Sequence, residues 1–160
     1  DLIGENIDVL LGVSVEGPPD LIRRSIVTTR YVMCAAPCYL KHYGTPKKPQ
    51  DLIKHRYITH SMREPADKLF FNDAKEVQVK PVLWLNDAQS MLTCALQGLG
   101  IVKLHDYMVS EALAKKQLVE ILANHHATEQ PVYLYYQPSR YLQPKIRCFI
   151  DFYLEKNNKK

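Results

Sequence analysis

Apolar and polar positions along this chain follow two alternating rhythms. The helical one is clearest after Asn86, where Ala88, Met91, Leu92, Ala95, Leu96 and Leu99 recur at the spacing of a helix with one buried face. Asn86 is the expected N-cap, and Gln89, three residues on, is placed to complete a capping box. Gly98 suits the left-handed position that ends such a helix, and Gly100 lets the chain turn straight into Ile101-Val102. Trp84 to His105 thus reads as strand, capped helix, tight turn and second strand. The helix N-terminus of such a unit should open on a crevice at the carboxyl ends of the strands.

The same patterning places the remaining elements. Residues 1–7 read as a short helix or turn, and Val9 to Val13 as a central parallel strand covered on both faces. Glu16 to Asp20 is a loop, and strands are expected around Leu21 to Val27 and from Arg30 to Ala36. Pro37 stops the second of these, and Cys38 to Tyr43 should form a short helix ended by Gly44. Pro49 opens another short helix to His55, and Tyr57-Ile58-Thr59 is a strand leading to His60 and Ser61. Lys68 to Asn72 and Glu76 to Leu85 look like a small meander turning at Asn72-Asp73, with Pro81 imposing an edge or bulge.

Further on, Asp106 should cap a helix from Tyr107 to Lys116, followed by strands at Leu118–Leu122 and Val132–Tyr136. Pro144 starts a last helix with Ile146, Phe149, Ile150, Tyr153 and Leu154 on one face. Strands alternate with helices throughout, which makes the class α/β.

Composition adds limits. The 160 residues suffice for one domain or two small lobes, and the net charge of +4 is spread thinly. No basic stripe with interleaved aromatics supports direct nucleic-acid binding by this segment. No apolar run reaches membrane-spanning length, and the abrupt opening on Asp1-Leu2-Ile3 suggests a fragment. Cys34, Cys38, Cys94 and Cys148 lack a secretory context and read as free thiols, with Cys34, Cys94 and Cys148 buried. That usage points to a cytoplasmic protein.

No phosphate loop, nucleophile elbow or His-Glu-x-x-His motif is present, so neither an enzyme nor a bound cofactor is expected. Cys34, Cys38 and His42 have helical metal-ligand spacing, but Cys34 lies in a strand and Pro37 interrupts the run. Thr59, His60, Ser61, Asn86, Asp87 and His105 are more telling, because each follows a strand or opens a helix. Two readings stay open for them. They cap helices and satisfy local backbone, or they also line a ligand crevice.

Taken in order, the residues resemble the effector-binding domain of LysR-type transcriptional regulators. The resemblance is carried by Asn86-Asp87-Ala88 before an apolar helix, by Gly98-Leu99-Gly100-Ile101 and by Leu104-x-Asp106-Tyr107. Cys34-Ala35-Ala36-Pro37-x-Tyr39-Leu40, Gly44-x-Pro46-x-x-Pro49-x-Asp51-Leu52-x-x-His55 and Pro138-Ser139-Arg140-Tyr141-Leu142-x-Pro144 extend it over nearly the whole chain. It implies a two-lobed fold like the type II periplasmic binding proteins. One lobe would comprise 1–36 plus 137–160 and the other 37–136. The first lobe would be incomplete, since a strand, loop and helix should precede Asp1.

By position, the resemblance implies effector contacts from Ala36, Thr59, His60, Ser61, Asn86, Asp87, Ala88, Leu104 and His105. Hydroxyls, imidazoles and a helix N-terminus favour a small anionic effector. It further implies a homo-oligomer, dimer or tetramer, in the full-length protein. DNA would be reached only through an N-terminal winged helix-turn-helix that this sequence lacks, and no membrane is involved. His105 stands where many relatives carry proline. A solute-binding protein of a transport system with the same fold is the alternative, and a thiol-sensing regulator a third reading.

Overall fold

The structure, a computed structural model, describes residues 7–13, 20–71, 76–125, 129–138 and 143–157. Its strands are β1 (Val9–Val13), β2 (Ile22–Thr29), β3 (Tyr31–Ala35), β4 (Arg56–His60), β5 (Lys68–Phe70), β6 (Glu76–Gln78), β7 (Lys80–Leu85), β8 (Val102–His105), β9 (Val119–Glu120) and β10 (Gln130–Tyr136). Its helices are α1 (Pro37–Tyr43), α2 (Ala88–Leu96), α3 (Asp106–Ala114) and α4 (Pro144–Asn157), with 3-10 turns at Pro49–Lys54 and Ala123–His125. The fold is α/β, as the alternation of periods predicts. The expected N-terminal turn before Ile7, most of the loop at 16–20, and the Asn72-Asp73 turn lie outside the described residues.

The chain divides into two compact units, 1–29 with 129–160 and 30–128. The first unit is discontinuous in sequence, and the joints between the two fall after residues 29 and 128. Hydrogen bonding sets them. β3 pairs with β8 and β9, so it belongs to the 30–128 unit, whereas β10 lies between β1 and β2 in the other. An apolar run announces a strand without naming its partner.

In the unit formed by 1–29 and 129–160, β1-β10-β2 is an antiparallel sheet. The expectation of a central parallel β1 is therefore corrected: β1 pairs only with β10 among the described residues, and Leu10 and Leu11 are 36% and 46% exposed. One sheet face packs under α4 through Ile26, Leu134, Tyr136 and Ile150, with Ile146, Tyr153 and Leu154 alongside. Phe149, expected on that buried stripe, is exposed on its flank, because one residue turns a helix by 100°. Cys148, two residues from both Ile146 and Ile150, points outward by the same geometry, which corrects its expected burial.

The 30–128 unit has a sheet covered on both faces. β3 is antiparallel to β8 and β9, and β4 is parallel to β7. A parallel bridge from Tyr57 to Ile101 joins the two pieces, with Ile58 N–H donating to Ile101 O at 2.9 Å and Ile101 N–H to Arg56 O at 2.9 Å. Strand alternation then sorts the core. Val32, Cys34, Ile58, Val102 and Leu104 meet α2 and α3 on one face. Met33, Ala35, Tyr57 and Ile101 meet Tyr39, Leu52, Leu69 and Phe71 on the other. β5 and β6 form the expected hairpin, but β7 leaves it to pair with β4. At Pro81 the register slips, with Tyr57 opposite Pro81 and Ile58 opposite Leu83, so Val82 bulges as a strand proline dictates.

Candidate functional site

β4 and β8 run the same way, so their carboxyl ends, with the starts of α2 and α3, meet at one edge of the 30–128 sheet. A cavity of about 200 Å³ lies there, bounded by Tyr31, Tyr57, His60 and Arg63 together with Lys103 and His105, and by Ala88, Met91, Leu104 and Met108. Four of the residues proposed from the sequence come together around it: His60, Ala88, Leu104 and His105.

The other five do not line it. Ala36 is buried in the core against Val32, Cys34 and Ile58, and its carbonyl accepts the N–H of Leu40 at the start of α1. Thr59 is fully buried, and its Oγ1 has no hydrogen-bond partner among the described residues. Ser61 is exposed, its N–H donating to Leu85 O at 2.8 Å. Asn86 and Asp87 are exposed at the helix start. An unpaired buried hydroxyl is unfavourable, so Thr59→Val should raise stability by about 1 kcal/mol. Urea unfolding checks this, and a loss of stability would show that the hydroxyl is paired in solution.

The cap of α2 also falls one residue later than expected. Asp87, not Asn86, is the N-cap; its carboxylate accepts from Ser90 N–H at 2.7 Å, Ser90 Oγ at 2.7 Å and Gln89 N–H at 3.3 Å. Both residue types cap well, and the helix begins at Ala88, which puts Asp87 at the right distance. The Ser90 hydroxyl and then the Ser90 N–H hold the Asp87 carboxyl below its usual range. Stability from this cap is therefore present above the unfolded carboxylate pKa and lost as pH falls through the lowered folded value. Asp87→Ala should lower the melting temperature at pH 7, with the gap to the unsubstituted protein closing toward pH 3. Melts followed by circular dichroism test this. Asp106, expected as the cap of α3, is instead its first residue, with His105 in the cap position and Asp106 Oδ1 accepting Tyr107 N–H at 2.8 Å.

Electrostatics distinguish the cavity. Lys103 stands with its Nζ 5.4 Å from the ring centre of Tyr31 and 5.7 Å from that of Phe71. Burial, then the nearby Arg63 guanidinium, pushes its ammonium down to about 8. Among the described residues no carboxylate pairs with Lys103 or Arg63, and no residue lining the cavity is acidic. His105 stacks on Tyr31 with centroids 4.1 Å apart and on Tyr107 at 5.5 Å. Its burial lowers its pKa against the opposing pull of Asp106. The thiol of Cys34 is pushed up to about 12 by burial and then by Glu120, which keeps it protonated and unreactive.

The sequence reading passed over Tyr31, Tyr57, Arg63, Met91, Lys103 and Met108. One signal was available for Lys103. It sits between Val102 and Leu104 in a strand whose neighbours are buried on both faces, where a lysine is out of place unless it faces a cavity.

Residues 1–158 match the family described as the LysR substrate binding domain. A regulator from Xanthomonas campestris pv. campestris, described as an HTH-type transcriptional regulator, is 27% identical over 165 residues, covering 99% of this chain and 48% of that protein. The HTH-type transcriptional activator TtdR of Escherichia coli K12 is 28% identical over 159 residues, covering 95% of this chain and 50% of TtdR. The chain thus spans about half the length of the curated relatives it matches. Among solved structures, the regulatory domain of CrgA from Neisseria meningitidis superimposes with a TM-score of 0.86 at 22% identity, over 97% of this chain and 78% of that one. Full-length AphB of Vibrio cholerae gives 0.82 at 23% identity, over 98% and 55%. With a family match over nearly its whole length and the same fold in these regulatory structures, the chain belongs to the LysR family as a substrate-binding, effector-type domain.

Proposed function

We propose that this chain is the sensing part of a cytoplasmic bacterial transcription regulator, and that it binds a small anion in the cavity between the ends of β4 and β8. The observation that carries this reading is the pair of cations, Lys103 and Arg63, facing one cavity without an acid among the described residues to balance them. Two like charges held together and partly desolvated are costly, and a bound anion removes that cost. The reading keeps His60, Ala88, Leu104 and His105 as contacts and adds Tyr31, Arg63 and Lys103.

In the full-length protein, a DNA-binding segment outside this chain would read the promoter and the protein would act as a homo-oligomer. The relatives named as HTH-type regulators support that arrangement. Ligand controls DNA binding only through a difference in affinity between two states of the protein, so the effector must favour one of them.

The test is a titration of the full-length protein with small carboxylates and phosphate, read by thermal shift and calorimetry, with a DNA footprint made with and without ligand. At a hundredfold excess over Kd, a ligand confined to the folded state stabilises it by about 2.7 kcal/mol, well above detection. At least one anion should raise the melting temperature and alter the footprint. If no anion binds at millimolar concentration, the reading fails.

A further inference from the structure

We propose that the ligand of this cavity is a small monocarboxylate with a compact apolar body, its carboxylate held by Lys103 and Arg63 and its body lying against Ala88, Met91, Leu104 and Met108. This rests on the anion reading of the same site and sharpens it to a chemical class.

The argument begins with strand alternation in β8. Successive side chains leave opposite faces of a sheet, so Lys103 and His105 project to one side and Leu104 to the other. Pairing with β3 fixes which side is which. Met33 lies opposite Lys103, and Tyr31 opposite His105, on the face that also carries Phe71 and Tyr57. Leu104 lies opposite Val32 on the face packed by α2 and α3, whose Met91 and Met108 also reach the cavity. Lys103 is on the first side, and Arg63, in the turn after β4, lines the same cavity within electrostatic reach of Lys103 and Tyr57. The cavity wraps the end of the sheet and is polarised: cations and phenols on one wall, and methionine, leucine and alanine with the His60 imidazole on the other.

That polarity excludes more than it admits. A second carboxylate on the far end of the ligand would be desolvated against Met91, Leu104 and Met108, with only the His60 imidazole beside it among the residues lining that wall. Hydroxyls along a sugar acid would face the same apolar side chains and lose their water partners. Size points the same way. A cavity on the order of 150 Å³ accommodates one benzene-sized ring, and this one is about 200 Å³, enough for a single ring or short branched chain plus its carboxylate.

The experiment measures Kd by calorimetry for the full-length protein with benzoate, cyclohexanecarboxylate, succinate, tartrate and inorganic phosphate. Benzoate or cyclohexanecarboxylate should bind at least tenfold tighter than succinate and tartrate. Arg63→Gln should weaken the monocarboxylates at least tenfold. Met108→Lys, a half-buried position that gives the apolar wall a charge, should shift preference toward succinate; the unsubstituted protein alone already decides the case if that variant fails to fold. Succinate or tartrate binding as tightly as benzoate would overturn this inference and leave the anion reading standing. Failure of all five probes, phosphate included, would remove the anion reading and this inference with it.

Discussion

Replacing Lys103 by methionine is expected to stabilise the protein by about 2 kcal/mol at pH 7 and to weaken anion binding more than tenfold. Burial beneath the rings of Tyr31 and Phe71, then Arg63, lowers the Lys103 ammonium from 10.5 to about 8. The folded state therefore holds this proton less well than the unfolded chain. Below pH 8 both states are protonated and the whole penalty is present. Between about 8 and 10.5 the unfolded chain binds more protons, so stability rises with pH and the penalty is relieved. The difference of 10.5 − 8 corresponds to about 3 kcal/mol at 1.36 kcal/mol per unit, and partial exposure reduces it to about 2 kcal/mol.

Methionine keeps the stem packed against Tyr31 and Phe71 and removes the charge. Urea unfolding followed by the fluorescence of Trp84, which lies in β7 of the same unit, measures the gain. The gain should shrink between pH 8 and pH 10.5. A variant less stable at pH 7, or one whose gain ignores pH, would mean that Lys103 is not held against its preference. Ligand binding reports the same linkage from the other side. An anion favours protonated Lys103, so binding takes up a proton above pH 8 and affinity falls as the pH rises. A charge that costs stability and is retained at a cavity is the usual compromise of a binding site.

How much of this was legible beforehand varied with the kind of information. The helix at α2 was readable from Met91, Leu92 and Ala95, because a 3.6-residue period is local and strong. So was the bulge at Pro81, since a missing N–H acts wherever the strand lies. Partner choice was not readable. Nothing in Val9 to Val13 tells an antiparallel strand beside β10 from a buried parallel strand.

The cap was missed by one residue because Asn86 and Asp87 are both good caps, and only the observed end of β7 at Leu85 and start of α2 at Ala88 decide between them. Of the site, positions at strand ends were legible and the cations were not. Arg63 follows an irregular turn with no period, and the reach of Lys103 toward it depends on β3 pairing with β8, residues about 70 positions apart in sequence. Met91 and Met108 both read as core; Met91 is 3% exposed and Met108 is half-buried, and both line the cavity.

Gly100→Ala should cost about 3 kcal/mol, at the upper end for forced overpacking. A Cβ at Gly100 would lie 2.8 Å from Arg56 O, 3.3 Å from Arg56 C and 3.3 Å from Ile58 Cγ1. The first two are backbone atoms of β4, which cannot rotate aside. Arg56 O already accepts Ile101 N–H at 2.9 Å, so relieving the contact means stretching the bridge that joins β4 to the chain entering β8. That bridge sets the spacing between His60 and Arg63 on one side and Lys103 and His105 on the other, so the same substitution should also weaken ligand binding.

Gly98→Ala is the control. Gly98 has a φ of 74° and its added Cβ would meet Cys38 Sγ at 2.7 Å, but that sulfur ends a side chain free to turn, leaving mainly the left-handed backbone penalty of about 1 kcal/mol. Denaturant midpoints of the two variants should therefore fall in the order Gly100→Ala below Gly98→Ala below the unsubstituted protein. The reverse order would show that β4 yields at Arg56, and that the close approach of Gly100 is not what fixes the two strands.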